Sequence, residues 1–129
     1  MVNTAFAVDV LRRKFGNAVQ ENVSLALYTS ARIGGEADVL VTVKSADELA
    51  DAMQLIWQHE LPYYMLGGGS NVLVSDDGFR GVVVLDRAKE VRFETGDQPT
   101  VWCEAGVIIA NLAKRCASKG LAGLEWSAT

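Results

Sequence analysis

The sequence predicts an α+β fold that is built around a βαβ unit and continues into an antiparallel second part. Residues 38–43 and 63–66 are near-continuous apolar runs, which are typical of buried parallel strands. The segment between them places apolar residues at helical spacing. Because a strand–helix–strand crossover is nearly always right-handed, we expect the two strands to be parallel.

A short helix is expected ahead of this unit. The apolar residues of segment 6–15 recur at helical spacing, and Gly16 is a suitable stop. We expect this helix to be a packing element without chemistry. Residues 19–28 show no regular period and are expected to form a connector.

The helix between the two strands has a clear start signal. Ser45 and Glu48 match the capping-box pattern, so we expect the helix to run from there to about His59. Trp57 lies on the apolar stripe and is expected in the core. His59 is the only histidine, and at the C-terminal end its cationic form complements the helix dipole. We expect no catalytic role for it, since no partner residues surround it.

A glycine-rich loop, Leu66-Gly67-Gly68-Gly69-Ser70-Asn71-Val72, follows the second strand, and we expect another strand at 72–74. Glycine lets other atoms approach the backbone, and successive amides in such a turn form an anion site. The loop lacks the third glycine of the dinucleotide fingerprint and the Gly-Lys-Ser/Thr of a P-loop. The glycines alone are equally compatible with a turn that binds nothing. Its place at the carboxyl end of a parallel strand favours a phosphate site.

The second half predicts a strand, a hairpin and a helix. Asp76 and Asp77 lie in a turn and are expected to face solvent rather than act as an acid–base pair. The helix is expected to place Ile108, Leu112 and Cys116 on its apolar face. The predicted elements are a strand at 82–85, hairpin strands at 91–94 and 100–104, and a helix at 107–119 that ends at Gly120.

Composition argues against several function classes. The chain has 129 residues, of which 50% are hydrophobic and 22% charged, as in a globular domain. The formal net charge of −4 and the lack of a Lys/Arg cluster argue against a nucleic-acid partner. No apolar run reaches the roughly 18 residues of a membrane span, and we see no signal peptide, so we expect a cytoplasmic protein without a membrane partner. Cys103 and Cys116 lack metal-site spacing and are expected to be reduced thiols.

Four ordered stretches resemble the UDP-N-acetylenolpyruvoylglucosamine reductase family, the MurB flavoenzymes of peptidoglycan precursor synthesis. They are residues 29–38, 66–74, 77–84 and 123–126. The resemblance runs from about Asn22 to the last residue. It departs at Ala31, where the family commonly has an aromatic residue.

The resemblance implies an FAD-binding domain of the PCMH/VAO type. Residues 1–23 would be a helical lead-in, 24–86 the first subdomain, and 87–129 the beginning of an incomplete second subdomain, with the substrate domain absent. The cofactor-binding residues that it implies are Gly67, Gly68, Gly69, Ser70 and Asn71 for the FAD diphosphate, Val72 and Leu73 beside the dinucleotide, and Gly123 and Leu124 at the flavin.

In this family, NADPH reduces the flavin, which then reduces UDP-N-acetylglucosamine enolpyruvate to UDP-N-acetylmuramate. FAD, NADPH and the UDP-sugar would therefore be the partners of the complete enzyme, which serves cell-wall biogenesis, cell shape and cell division. The family's catalytic groups have no counterpart in this sequence. The resemblance thus implies no catalytic residue, no metal site and no turnover by this chain alone.

Two alternatives stay open. The chain could be a stand-alone nucleotide- or FAD-binding module without catalysis, or part of another FAD-dependent oxidoreductase with the same type of domain. Residues 32–35 and 123–126 favour the cell-wall reductase over such another oxidoreductase.

Overall fold

The computed structural model describes residues 3–128. Within this range the chain forms a four-stranded sheet with two helices on one face, followed by a two-stranded hairpin and a third helix. The α+β class is therefore confirmed. The helices are α1 (Thr4–Phe15), α2 (Ala46–Gln58) and α3 (Ile109–Ser118). The strands are β1 (Val19–Ser24), β2 (Glu36–Val43), β3 (Tyr63–Leu66), β4 (Phe79–Asp86), β5 (Val91–Glu94) and β6 (Thr100–Cys103).

The four-stranded sheet has the order β1-β2-β4-β3, with β1 antiparallel to β2 and the other three strands parallel. The predicted βαβ unit, β2–α2–β3, is confirmed, but β4 lies between its two strands. Burial explains this order. Residues 81–86 of β4 are all buried, whereas three of the four residues of β3 are exposed. The strand that is apolar on both faces takes the centre, and β3 takes an edge. The expectation that residues 63–66 form a buried strand is therefore wrong, since only Leu66 of β3 is buried.

Two segments differ from their expected secondary structure. Residues 19–24 are no connector but strand β1, in which Val19 pairs with Val41 and Val23 with Ala37. This strand has one polar, exposed face at the edge of the sheet, so it lacks an apolar run. Residues 72–74 are no strand either, because Val72 and Val74 pack onto the sheet instead of joining its ladder.

Apolar side chains fill both faces of the sheet. One face packs alternate residues of β2 and β4 against α1 and α2, where Leu11 and Ile56 are fully buried. The opposite face contains Leu40 and Val83 and packs against apolar residues of segment 72–79. The segment that follows the glycine loop is therefore part of the core.

The ends of α2 follow the predicted signals. The Ser45 hydroxyl accepts a hydrogen bond from the Glu48 amide at 3.1 Å. The Glu48 carboxylate accepts one from the Lys44 amide at 2.7 Å, one residue before the cap. At the other end His59 is the C-cap residue, and its ring packs edge-on against Phe6. The ring contact gives His59 a structural place at the junction of α1 and α2.

Two apolar side chains that were expected in the core are exposed instead. Trp57 is 63% exposed and Ile108 is 60% exposed. Trp57 flanks the buried stripe of α2, which consists of Ala52, Met53 and Ile56. Ile108 is the N-cap residue of α3 and lies before the helical period begins. The buried face of α3 consists of Leu112, Ala113 and Cys116.

The second part of the chain matches its predicted elements. Strands β5 and β6 pair antiparallel. The Phe93 ring on β5 lies under the charged ends of Arg115 and Lys119, at 5.5 and 4.9 Å, which ties the hairpin to α3. Helix α3 ends as predicted at Gly120, which has φ +73° and a Schellman pattern of hydrogen bonds.

One carboxylate joins the hairpin to the first part of the molecule. Glu104 Oε1 accepts from the amide of Ala46, the first residue of α2, at 3.1 Å. Glu104 Oε2 accepts from the Glu90 amide at 2.7 Å. A negative charge at a helix N-terminus is favourable, so this side chain holds the two parts together at a suitable point.

Candidate functional site

The glycine loop, residues 67–71, leaves the carboxyl end of β3 and bends at once. Gly68, Ser70 and Asn71 are exposed, and Gly69 is buried. A Cβ at Gly67 or Gly68 would meet no atom closer than 3.8 Å. One side of the loop is therefore open to an approaching molecule.

The amides of this loop have no internal acceptor. Among residues 3–128, the five N–H groups of residues 67–71 donate no hydrogen bond to backbone or side chain. Backbone amides are obligatory donors that need a partner in water or in a ligand. Consecutive unpaired amides beside open space are chemically suited to an anion.

The buried glycine, Gly69, packs against the backbone of residues 28–30. Gly69 has φ +70°, and a Cβ there would overlap the carbonyl oxygen of Tyr28. Its own carbonyl accepts from the Ser30 amide at 2.9 Å. Thr29 between them is buried, and its hydroxyl donates to the Ile33 carbonyl at 3.3 Å. The backbone of residues 28–30 thus fixes the position of the loop, a support that sequence reasoning did not assign.

A second set of contacts holds the chain just after the loop. The Gly35 amide donates to the Ser75 carbonyl at 2.8 Å. Gly78 has φ +74°, and a Cβ there would overlap the Glu36 carbonyl oxygen. Arg80 donates to that same carbonyl at 2.6 Å and pairs with Asp38 at 2.9 Å. Two of the stretches that carry the family resemblance therefore pack directly against each other.

An arginine contacts the loop from the neighbouring strand. The Arg87 guanidinium donates to the Gly67 carbonyl at 3.0 Å. It is the one cationic side chain of residues 3–128 that hydrogen-bonds to the loop. Its place one residue after β4 makes it adjacent to the end of β3, because the two strands are paired in parallel. That pairing is a long-range feature, so the sequence analysis missed this residue.

The two apolar residues after the loop differ. Val72 packs onto the core of the second face, whereas Leu73 is 78% exposed. Both line a small apolar cavity of about 190 Å³ beside the loop, together with Leu25, Tyr64, Leu66, Val74, Ser75, Gly78, Phe79 and Val83.

The other predicted site residues lie in a separate turn near the carboxyl end. The Gly123 amide donates to the Glu125 carboxylate at 2.8 Å. This bond and the one from the backbone amide of Glu125 itself hold the pKa of that carboxyl below its usual value, its own amide being the larger cause. Leu124 is partly buried. No hydrogen bond within residues 3–128 joins Gly123 or Leu124 to the glycine loop.

Within residues 3–128, the other side chains that could act as metal ligands, acids, bases or nucleophiles do not form a cluster. In residues 3–128, no three His, Cys, Asp or Glu side chains are grouped as metal ligands would be. Asp76 and Asp77 are both exposed in their turn. Cys103 is exposed, Cys116 is buried, and both are free. No helix of the described range is long and apolar enough to cross a membrane.

Comparison with known proteins points to one family. The family described as FAD binding domain matches residues 37–128. The chain is 38% identical over 118 residues to the UDP-N-acetylenolpyruvoylglucosamine reductase of Carboxydothermus hydrogenoformans, covering 91% of this chain and 38% of that protein. It is 44% identical over 103 residues to the enzyme of the same name from Rubrobacter xylanophilus, covering 80% and 34%. The chain thus spans little more than a third of the curated relatives that it matches.

Solved structures agree. The UDP-N-acetylenolpyruvylglucosamine reductase (MurB) of Thermus caldophilus superposes with a TM-score of 0.59 at 33% identity, over 80% of this chain and 35% of that one. Alkyldihydroxyacetonephosphate synthase has a TM-score of 0.66 at 23% identity, and p-cresol methylhydroxylase one of 0.64 at 17%. They cover 90% and 91% of this chain and 25% of each of theirs, and they show the fold alone. The PCMH/VAO-type fold that the resemblance implied is confirmed.

Proposed function

The chain belongs to the FAD-binding domain family, and we propose that it holds FAD by its diphosphate on the amides of residues 67–71. The observation that supports this most is the run of five amides without an internal acceptor, two of which belong to Gly67 and Gly68, where a Cβ would meet no atom closer than 3.8 Å. Neutral amides bind a diphosphate without a basic side chain in the loop. The expected donors at this site remain Gly67, Gly68, Gly69, Ser70 and Asn71.

Further groups complete the proposed site. Val72 and Leu73 line the cavity beside the loop and would contact apolar parts of the dinucleotide. We assign Gly123 and Leu124 to the flavin region on the resemblance alone. We keep the subdomain boundary at residues 86 and 87, where β4 ends. Residues 3–23 pack and pair with the first sheet, so we propose to count them with the first subdomain.

We propose further that this domain serves the reduction of UDP-N-acetylglucosamine enolpyruvate to UDP-N-acetylmuramate. Support comes from the identity of 38–44% to reductases of that name. FAD would supply the redox chemistry, with NADPH as the electron donor. This chain's residues bind and orient the cofactor, and we assign no catalytic residue among them. The proposal includes the cytoplasmic location and the role in cell-wall synthesis, cell shape and division.

A titration with FAD tests the proposed binding. The purified chain is followed by flavin absorbance and fluorescence, beside Gly68→Asp and Gly96→Asp. Both variants add one carboxylate at an exposed glycine with free space, but Gly96 lies in the turn between β5 and β6. Saturable binding that only Gly68→Asp weakens, by tenfold or more, supports the proposal. No binding by a chain that is folded by circular dichroism, or equal loss in both variants, contradicts it.

A chimera tests the reductase assignment separately. This chain replaces the matching segment of the Carboxydothermus hydrogenoformans reductase, and the flavin spectrum reports whether the product is loaded. Oxidation of NADPH that depends on UDP-N-acetylglucosamine enolpyruvate supports the assignment. A flavin-loaded chimera without such oxidation contradicts the assignment and favours a binding module or another FAD enzyme.

A further inference from the structure

We infer that Arg87 is a positioning residue of the diphosphate loop, which sets the plane of the Gly67–Gly68 peptide so that the Gly68 amide faces outward. The inference rests on the proposed FAD site. It starts from the 3.0 Å hydrogen bond that the guanidinium donates to the Gly67 carbonyl. No other side chain of residues 3–128 donates a hydrogen bond to a carbonyl of this loop.

The direction of the Gly67 carbonyl also determines the direction of the Gly68 N–H, because both belong to one planar peptide. The backbone has no cis bond in the described range, so the carbonyl of Gly67 and the N–H of Gly68 point in opposite directions. Fixing the carbonyl toward Arg87 therefore turns the N–H away from it. The Gly68 amide has no internal acceptor, and Gly68 is exposed, with no atom closer than 3.8 Å to the position of a Cβ.

Hydrogen bonds hold the backbone at Arg87 and next to it in place. Its backbone amide donates to the Val43 carbonyl at 2.8 Å, which extends the sheet past β4. The buried carboxylate of Asp86 accepts from the Ala88 amide at 2.9 Å, so the turn around Arg87 is closed on both sides. The side chain thus starts from a fixed backbone, so its ordering at the loop costs rotamer entropy of the side chain but no further ordering of the chain around it.

The charge also matters. A hydrogen bond from a guanidinium to a carbonyl is stronger than one from a neutral donor. Such a bond polarises the peptide and makes the Gly68 N–H a better donor to an anion. The loop gains this effect without a cation on the ligand side, because the guanidinium lies behind the peptide. Gly67 and Gly68 have no side chains that restrict their backbone torsions. Without this hydrogen bond, the peptide between them would rotate more freely.

Nuclear magnetic resonance of the FAD-free chain tests the orientation by itself. In Arg87→Met, the Gly68 amide proton is expected to move upfield, because its peptide loses polarisation. Arg87→Lys is expected to restore most of the shift, since an ammonium also donates to a carbonyl. Arg13→Met is the matched control, because it removes the same charge from an exposed residue of α1 that pairs with Asp9. A Gly68 proton that stays in place in Arg87→Met overturns the inference.

The FAD affinity of the same variants tests the consequence. We expect Arg87→Met to bind about tenfold more weakly with the same dependence on salt, and Arg13→Met to bind like the unsubstituted chain. Unchanged affinity in Arg87→Met overturns the positioning role and leaves the FAD site intact. A clearly weaker salt dependence in Arg87→Met also overturns it, because the guanidinium would then form a salt-screened contact with the diphosphate itself. Failure of the unsubstituted chain to bind FAD contradicts the proposed function itself.

Discussion

At the scale of single residues, the adjacent glycines Gly68 and Gly69 are required for different physical reasons. Gly69 is required by the fold, because its φ is +70° and the Tyr28 carbonyl fills the space of a side chain. Gly68 has neither constraint, with only the Ser70 hydroxyl near a built Cβ, at 3.8 Å. Its lack of a side chain matters for a ligand that approaches the backbone.

The two positions are therefore expected to separate stability from binding. Gly69→Ala should lower the free energy of unfolding by about 2–4 kcal/mol, from backbone strain and overlap. Gly68→Ala should change the free energy of unfolding by less than about 0.5 kcal/mol, as ordinary surface substitutions do, but it should lower the affinity for FAD. Urea unfolding and FAD titration measure the two effects. Equal unfolding midpoints for both variants would contradict the close packing of Gly69 against the Tyr28 carbonyl.

Glu125 gives a prediction about pH. Amide hydrogen bonds lower the pKa of its folded-state carboxyl, the largest from its own backbone and the next from Gly123. The stabilising effect is therefore fully present above the usual Glu pKa of about 4.3 and is lost as the pH falls through the lowered value.

The Gly123 amide resonance should accordingly titrate with a midpoint below that of an ordinary glutamate, measured by nuclear magnetic resonance between about pH 2 and 7. Glu125→Gln should remove this titration. A midpoint at or above the ordinary value would mean that the turn does not form in solution.

Residue patterns also show the limit of sequence reasoning. Ser45 and Gly120 were predicted correctly because caps depend on local hydrogen bonds. Trp57 was expected in the core, yet it flanks the buried stripe, since periodicity cannot tell how wide the covered part of a helix is. Arg87 was missed because its contact depends on which strands are neighbours.

At the scale of elements, the sequence was sufficient for α2, β3, the β5–β6 hairpin and α3, whose periods are strong. It was insufficient for β1 and for the order of the sheet. An antiparallel edge strand has one polar face and no continuous apolar run. Strand order depends on which strand buries more surface, and this could be seen only after residues 81–86 proved to be buried on both faces.

Glu104 is predicted to stabilise the contact between the hairpin and α2. Its carboxylate accepts from two amides, at 3.1 and 2.7 Å. Because the group is partly exposed, Glu104→Ala should lower the free energy of unfolding by about 1–2 kcal/mol. Glu94→Ala is the control, since within residues 3–128 that exposed carboxylate accepts only from the Thr100 hydroxyl, and it should cost less than about 0.5 kcal/mol. Urea unfolding that gives the two variants the same stability would contradict the bridging role.

At the scale of the whole molecule, the site depends on three segments that are far apart in sequence. Residues 28–30 hold the loop from behind, residues 67–71 form it, and Arg87 holds its first carbonyl. The position of the loop at the carboxyl end of β3 could be predicted from the βαβ pattern. Its supports could not, because they arise from contacts between distant segments.

Large apolar side chains remain exposed around this framework. They include Leu27, Ile33, Leu73, Trp102 and Ile108, each at least 45% exposed. Exposed apolar side chains favour association with other protein surfaces where they form a contiguous patch. The contacts that position the loop come from residues 28–30 and Arg87 of the same chain, so FAD binding should not depend on such association.

The most direct test of the central claim is an amide-resolved titration of the chain with FAD and, in parallel, with riboflavin, which has no phosphate. If the loop holds the diphosphate, FAD should shift the amide resonances of residues 67–71 saturably, and riboflavin should leave them in place. Resonances of α1 on the opposite face serve as the internal reference. FAD binding that leaves the five loop amides unmoved, or riboflavin shifts of equal size, would contradict the diphosphate site.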